Sequence, residues 1–96
     1  MSVYEVNYLC RELLRDKAFR EAMRTDPAAA LAGRDLTAEE REALLAGDVG
    51  KLYRMGVNAF LMGYLPRFQA CGLTLETYNE RMRAEAGRTP ELAGAH

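Results

Sequence analysis

The chain of 96 residues holds a single histidine, His96, and two cysteines far apart at Cys10 and Cys71. A catalytic metal needs at least two or three ligands from His, Cys, Asp and Glu, held by firm elements. One imidazole cannot complete the two-histidine, one-carboxylate set of a non-haem iron enzyme. Placed in the last position, it is also not expected to orient a serine or cysteine nucleophile. The phrase Ala46-Gly47-Asp48-Val49-Gly50-Lys51-Leu52 hints at a phosphate loop, but Leu45 stands where that motif needs glycine and Leu52 where it needs Ser or Thr. It reads instead as a helix stop followed by a helix start. Catalysis by one unaided copy is not expected, and no metal or catalytic residue is assigned.

Recognition chemistry is what remains. Asn58 sits between Gly56 and Phe60 in a run otherwise rich in apolar residues, from Val49 to Met62. Asparagine is a mediocre helix former, and burying it without partners costs roughly 1–3 kcal/mol. Two readings stay open: a clamp on a neighbouring loop's backbone, or a group facing a partner or ligand. Gly56 and Gly63 are seven apart, so on one helix they would share a stripe and let another backbone approach. Arg11, Arg15, Arg20 and Arg24 are interleaved with Glu12, Asp16 and Glu21. That pattern predicts a solvated, mutually paired face whose individual pairs contribute little. Met55, Met62 and Met82 read as core filler.

The elements that must position these residues are all helical. Val6, Leu9, Cys10, Leu13 and Leu14 follow the helical period, which predicts a helix over Val3 to Arg15. Asp16 can cap a short successor carrying Phe19 and Met23. Asp26-Pro27 is a cap followed by proline at the first helical position, and Gly33 can close that helix. Thr37 and Glu40 form a capping box, and Gly47 supplies a left-handed stop. Asp48 is expected to cap a helix running to about Tyr64 and ending before Pro66. Thr74 starts a last helix that ends at Gly87. No alternating β-branched run suggests a strand. The expectation is an all-α fold: one compact domain of five to six short helices over residues 1–87, with residues 88–96 a flexible tail.

Composition excludes several classes. Thirteen Lys+Arg against fourteen Asp+Glu leave a net charge of −1, no general footprint for nucleic acid or an anionic membrane. No apolar run reaches the ~20 residues that cross a bilayer. The start, MSVYEVNYLC, has a glutamate where a secretory signal would be basic. Both cysteines fall on apolar faces and read as buried thiols, so the expected location is cytoplasmic.

The order Tyr4-x-x-Asn7-x-x-Cys10, Asp26, Leu36-Thr37-x-x-Glu40, Asp48, Leu52, Gly56-x-Asn58-x-Phe60 and Thr74-x-Glu76-x-Tyr78 resembles the small (α) subunit of protocatechuate 4,5-dioxygenase, over about residues 4 to 85. The resemblance implies a helical, non-catalytic subunit, or a stand-alone relative of one, in an extradiol ring-opening dioxygenase. In that family the small subunit binds no cofactor. It packs on a large subunit whose Fe(II), held by two histidines and a glutamate, acts on catechol-type substrates, and it covers the active-site mouth. A hetero-oligomer is therefore expected, with a homodimer as the alternative in isolation.

Asn58 and Phe60 match family positions and become candidates for the partner or substrate mouth. The connection Leu65 to Leu73 is shorter than the family's substrate-contacting loop, so that loop's residues are not carried over. Arg67 and Phe68 are candidates by location alone, a cation and an aromatic beside a helix end. A second resemblance covers the middle of the pattern. The enzyme-docking domain of split borosin-type precursor peptides shares D-P-x-x-x-L followed by L-T-x-E-x-x-x-x-L-x-x-x-D. The tail RTPELAGAH lacks the β-branched run such precursors often modify, and G-x-N-x-F favours the dioxygenase relative.

Overall fold

Short polar side chains at helix starts decide where the chain turns. The computed structural model describes residues 3–88. Asp16 Oδ1 accepts the Phe19 N–H at 3.1 Å, separating α1 (Tyr4–Arg15) from α2 (Lys17–Thr25). Asp26 does the same through the Ala29 N–H, with Pro27 opening α3 (Pro27–Leu31). At α4 (Ala38–Ala46) the capping box is complete: Thr37 Oγ1 accepts the Glu40 N–H at 3.0 Å, and Glu40 Oε1 accepts the Thr37 N–H at 2.9 Å. Gly47, at φ +66°, ends α4, and Asp48 caps α5 (Val49–Arg54) through the Lys51 N–H.

Beyond Arg54 the structure departs from the expected helix to Tyr64. The chain breaks at Gly56, whose φ of +104° is open to glycine and strained for other residues. It restarts as α6 (Ala59–Met62) and α7 (Tyr64–Arg67), then passes through a 3-10 turn (Ala70–Gly72) into α8 (Leu75–Arg88). Pro66 does not end a helix; it sits in the first turn of α7, where its missing N–H has no helical acceptor to lose. Gly56 and Gly63 do not form a packing stripe either. A Cβ on Gly56 would meet nothing within 4 Å, and the atom nearest one on Gly63 is the carbonyl of Phe60 in the preceding turn. The all-α single domain stands as expected. Its helical segments outnumber the expected ones because one stretch divides into three.

The core is built from one stripe of α1 (Val6, Leu9, Cys10, Leu13) against Met23, Leu31, Leu44, Leu52, Met62 and Leu65, all at most 1% exposed. Burying each such aliphatic side chain stabilises the fold by roughly 1.5–3 kcal/mol. Leu14, expected on that stripe, points outward instead. α8 continues through Arg88; the remainder of the expected tail, with His96, lies outside the described residues.

Candidate docking site around Asn58 and Phe60

Asn58 does not lie inside an apolar helical face, as its neighbours suggested. It is exposed, with φ −64° and ψ +121°, and forms the N-cap of α6 rather than part of a helical face. Its Oδ1 accepts the Leu61 N–H at 3.1 Å. Its own backbone N–H donates to Asn7 Oδ1 on α1 at 2.9 Å. The two amides thus fix the start of α6 against α1. Apolar periodicity hid this arrangement, although the tripeptide Gly56-Val57-Asn58 contains both its signals, a glycine for the break and an asparagine for the cap.

That cap sets the direction of Phe60, which is 76% exposed and touches Tyr64 edge-on, with ring centroids 5.9 Å apart. Val57 and Leu61, on either side, turn inward to the core. A short capped helix therefore holds an aromatic ring out into solvent from a fixed base. Removing a ring of this size from water gains free energy only if another surface covers it.

Arg67 and Phe68 form an adjoining cluster. Phe68 is half-buried, and the Arg20 guanidinium lies 4.5 Å from its ring centroid, with Arg67 at 5.5 Å. Arg20 is anchored on the last carbonyls of α1, donating from Nε to Leu13 O at 3.0 Å and from Nη2 to Leu14 O at 3.2 Å. Those carbonyls lack helical N–H partners, and a cation there also meets the negative end of the helix dipole. Arg67 is exposed. After this cluster the backbone takes positive φ at Gln69 (+56°) and Cys71 (+57°), both non-glycine. Such strain persists only where surrounding structure enforces it.

Of the expected mutual pairing of the α1–α2 arginines, the structure contains one ion pair. Arg24 pairs with Glu21, but Arg20 serves the α1 carbonyls and Glu12 turns to Arg34 at 2.8 Å. Arg34 also reaches Glu5 at 3.2 Å and lies over Phe19. Long-range partners outcompete sequence neighbours because each such contact ties two elements together.

A separate cleft of about 350 Å³ opens between α5 and α8, lined in part by Gly50, Arg54, Arg81 and Glu85. Its charges already serve the fold. Glu85, 2% exposed, pairs with Arg54, and Arg81 donates to the carbonyls of Ala46 and Gly47, at 3.2 and 2.7 Å. Burial pushes the Cys10 thiol up to about 12, helped by Cys71, and burial alone raises Cys71 to about 11. Neither offers a thiolate nucleophile at neutral pH. Among the described residues, no group of three or more His, Cys, Asp or Glu could hold a metal ion. No described helix is long and apolar enough to cross a membrane.

The site combines an outward ring, a fixed cap and cations beside a strained turn. Neither the curated proteins nor the solved structures contain a match to the chain. The family model of the aromatic-ring-opening dioxygenase LigAB, LigA subunit, matches residues 6–85, which take in α6, α7 and most of the helices that carry them. The chain belongs to the LigA-subunit family of the LigAB ring-opening dioxygenases.

Proposed function

We propose that this chain is the non-catalytic small subunit, or a stand-alone relative, of an extradiol dioxygenase, and that it packs on an iron-bearing large subunit and covers its active-site mouth. The family match carries the reading. The exposed Phe60 on its capped turn supports it as a ready contact surface. In the complex, the large subunit's Fe(II) supplies binding and activation of the catechol-type substrate and O₂. This chain's part is to exclude water and hold the substrate's orientation from outside. Phe60 and Asn58 face the large subunit around the mouth, and Arg67 with Phe68 borders it, where a guanidinium suits a substrate carboxylate. The complex works in the cytoplasm as a hetero-oligomer.

The test is reconstitution. The large subunit is co-purified from native cells with this chain, identified by mass spectrometry and by its iron content, then separated. Ring opening of protocatechuate, followed by oxygen uptake, should need both polypeptides or rise several-fold when this chain is added back. Robust oxygen uptake by this chain alone would falsify the reading. So would a large subunit that neither binds this chain nor responds to it.

A further inference from the structure

Taking its partner from the proposed function, we infer that the outer stripe of α1 (Tyr4, Tyr8, Arg11 and Arg15) continues the Phe60 surface into one docking face, shaped for an apolar, acid-rimmed surface of the large subunit. At 3.6 residues per turn these positions fall within about 60° of one another, on the side of α1 opposite its core stripe. Tyr4 and Tyr8 are 67% and 42% exposed and stack on each other, with ring centroids 6.3 Å apart. Tyr8, Arg11 and Arg15 also line a shallow depression. Tyrosine and arginine are the residues that interface centres favour, because they bring large contact area together with polar reach.

The charge pattern identifies what the face fits. The acids of α1, Glu5 and Glu12, are both taken up by Arg34 on the helix flank. Asp16, at the helix end, caps α2 through the Phe19 N–H. Arg11 and Arg15 are exposed and form no ion pair among the described residues. A chain with net charge −1 thus presents two exposed guanidinium groups, outside any ion pair among the described residues, beside two tyrosines. Two such cations are too few for a nucleic-acid or membrane footprint, which needs many phosphate or headgroup contacts. They suit a few carboxylates, each held in bidentate fashion, around an apolar patch that takes the rings. The Asn58 N–H to Asn7 Oδ1 hydrogen bond, 2.9 Å, ties the base of Phe60 to the flank of α1 beside this stripe, and on that tie we place both against one partner.

The test uses the full-length chain and the purified large subunit, with binding and association rates measured at low and high salt. The double variant Arg11→Glu/Arg15→Glu should bind about tenfold more weakly or worse, mainly through slower association, and lose most of the salt dependence. Tyr8→Ala should weaken binding chiefly through faster dissociation. Glu42→Lys, an exposed change on α4, should bind as wild type, and unchanged melting temperatures exclude misfolding. If the wild type binds and the stripe variants bind equally well, this inference falls while the proposed function stands. If the wild type does not bind at all, both fall. Loss of self-association in the stripe variants, or loss of adhesion to phosphatidylserine vesicles, with large-subunit binding unaltered, would assign the stripe elsewhere and overturn the inference.

Discussion

Residues 37–54 and 55–73 are both rich in apolar side chains, yet they are held in different ways. The first stretch is closed by reciprocal local bonds: the Thr37–Glu40 box, the left-handed Gly47 and the Asp48 cap. Long-range ties reinforce it, with Arg81 on the Ala46 and Gly47 carbonyls and Arg54 on Glu85. The second is assembled from α6, α7 and a 3-10 turn, breaks at Gly56 and carries two non-glycine residues at positive φ. It also holds Phe60, the most exposed large apolar side chain described. One stretch buries most of its large apolar groups and satisfies its ends; the other holds an aromatic outward on α6 and carries its backbone strain further on, at Gln69 and Cys71. Under the proposed function, the contrast separates a segment that serves stability from one that meets the large subunit.

The largest effect expected from this contrast comes from deleting equivalent bulk in each stretch. Leu52→Ala removes a fully buried side chain and should cost about 2–5 kcal/mol of stability by urea denaturation. Phe60→Ala should shift stability by no more than about 0.5 kcal/mol while weakening large-subunit binding. A Phe60 variant as unstable as the Leu52 variant would erase the distinction.

Glycine substitutions sharpen it next. A Cβ on Gly47 would lie 2.8 Å from Arg81 Nη1 and 3.2 Å from Leu73, in a left-handed conformation besides. Gly47→Ala should therefore cost about 1–3 kcal/mol, from strain plus a displaced Arg81 bond. At Gly56 only the backbone strain applies, so Gly56→Ala should cost less, about 1–2 kcal/mol.

The two thiols report on the same division. Cys10 is fully buried on α1, and Cys71 is part-buried in the positive-φ turn. Local opening of the turn should let Cys71 react with a thiol reagent at least about tenfold faster than Cys10, which needs global unfolding. Equal rates would mean that the turn is as firmly held as the core. Both thiols titrate higher in the fold than in the unfolded chain, so the folded state binds their protons more tightly. Their contribution to stability is complete below about pH 9 and is lost as pH rises toward 11 and 12. Replacing Cys10 with alanine should flatten that alkaline decline.

How much of this was legible beforehand follows from the same contrast. Caps and stops written in adjacent residues, such as Asp16, Asp26-Pro27, Thr37-x-x-Glu40 and Gly47-Asp48, were read correctly, because each is decided within four residues. The helix expected from Asp48 to Tyr64 failed because apolar periodicity outweighed Gly56 and Asn58. The acceptor that settles Asn58's backbone lies far away in sequence, on Asn7. Apart from Arg24 with Glu21, the expected arginine pairings failed for a similar reason: Arg34 draws Glu12 from another part of the chain. Asn58 was singled out by its apolar surroundings and Phe60 by the family pattern, but the cap that turns the ring outward was visible only in three dimensions.

Caps offer a finer comparison. Thr37→Ala and Asn58→Ala each leave a helix-start N–H without its side-chain acceptor, at about 1 kcal/mol, within the usual 0.5–2. The Thr37 backbone N–H, which alanine keeps, still donates to Glu40 Oε1, so only the hydroxyl's half of the box is lost. Asn58→Ala should in addition loosen Phe60 and weaken partner binding by more than its stability loss explains, because it frees the turn that presents the ring. A pure cap would show the melting change alone.

The smallest effect has the opposite sign. Gln69 is exposed, sits at φ +56° and has no side-chain bond that a glycine would forfeit among those described. Gln69→Gly relieves its left-handed strain but gives the unfolded chain more freedom, so the two effects partly cancel. The fold should gain at most about 1 kcal/mol, read as a small rise in melting temperature. If the strain serves to hold Arg67 and Phe68 for a substrate or partner, the same variant should bind or turn over less well despite being no less stable. A gain in stability with no loss of function would mean that the turn is strained only because α7 and α8 must be joined by so few residues.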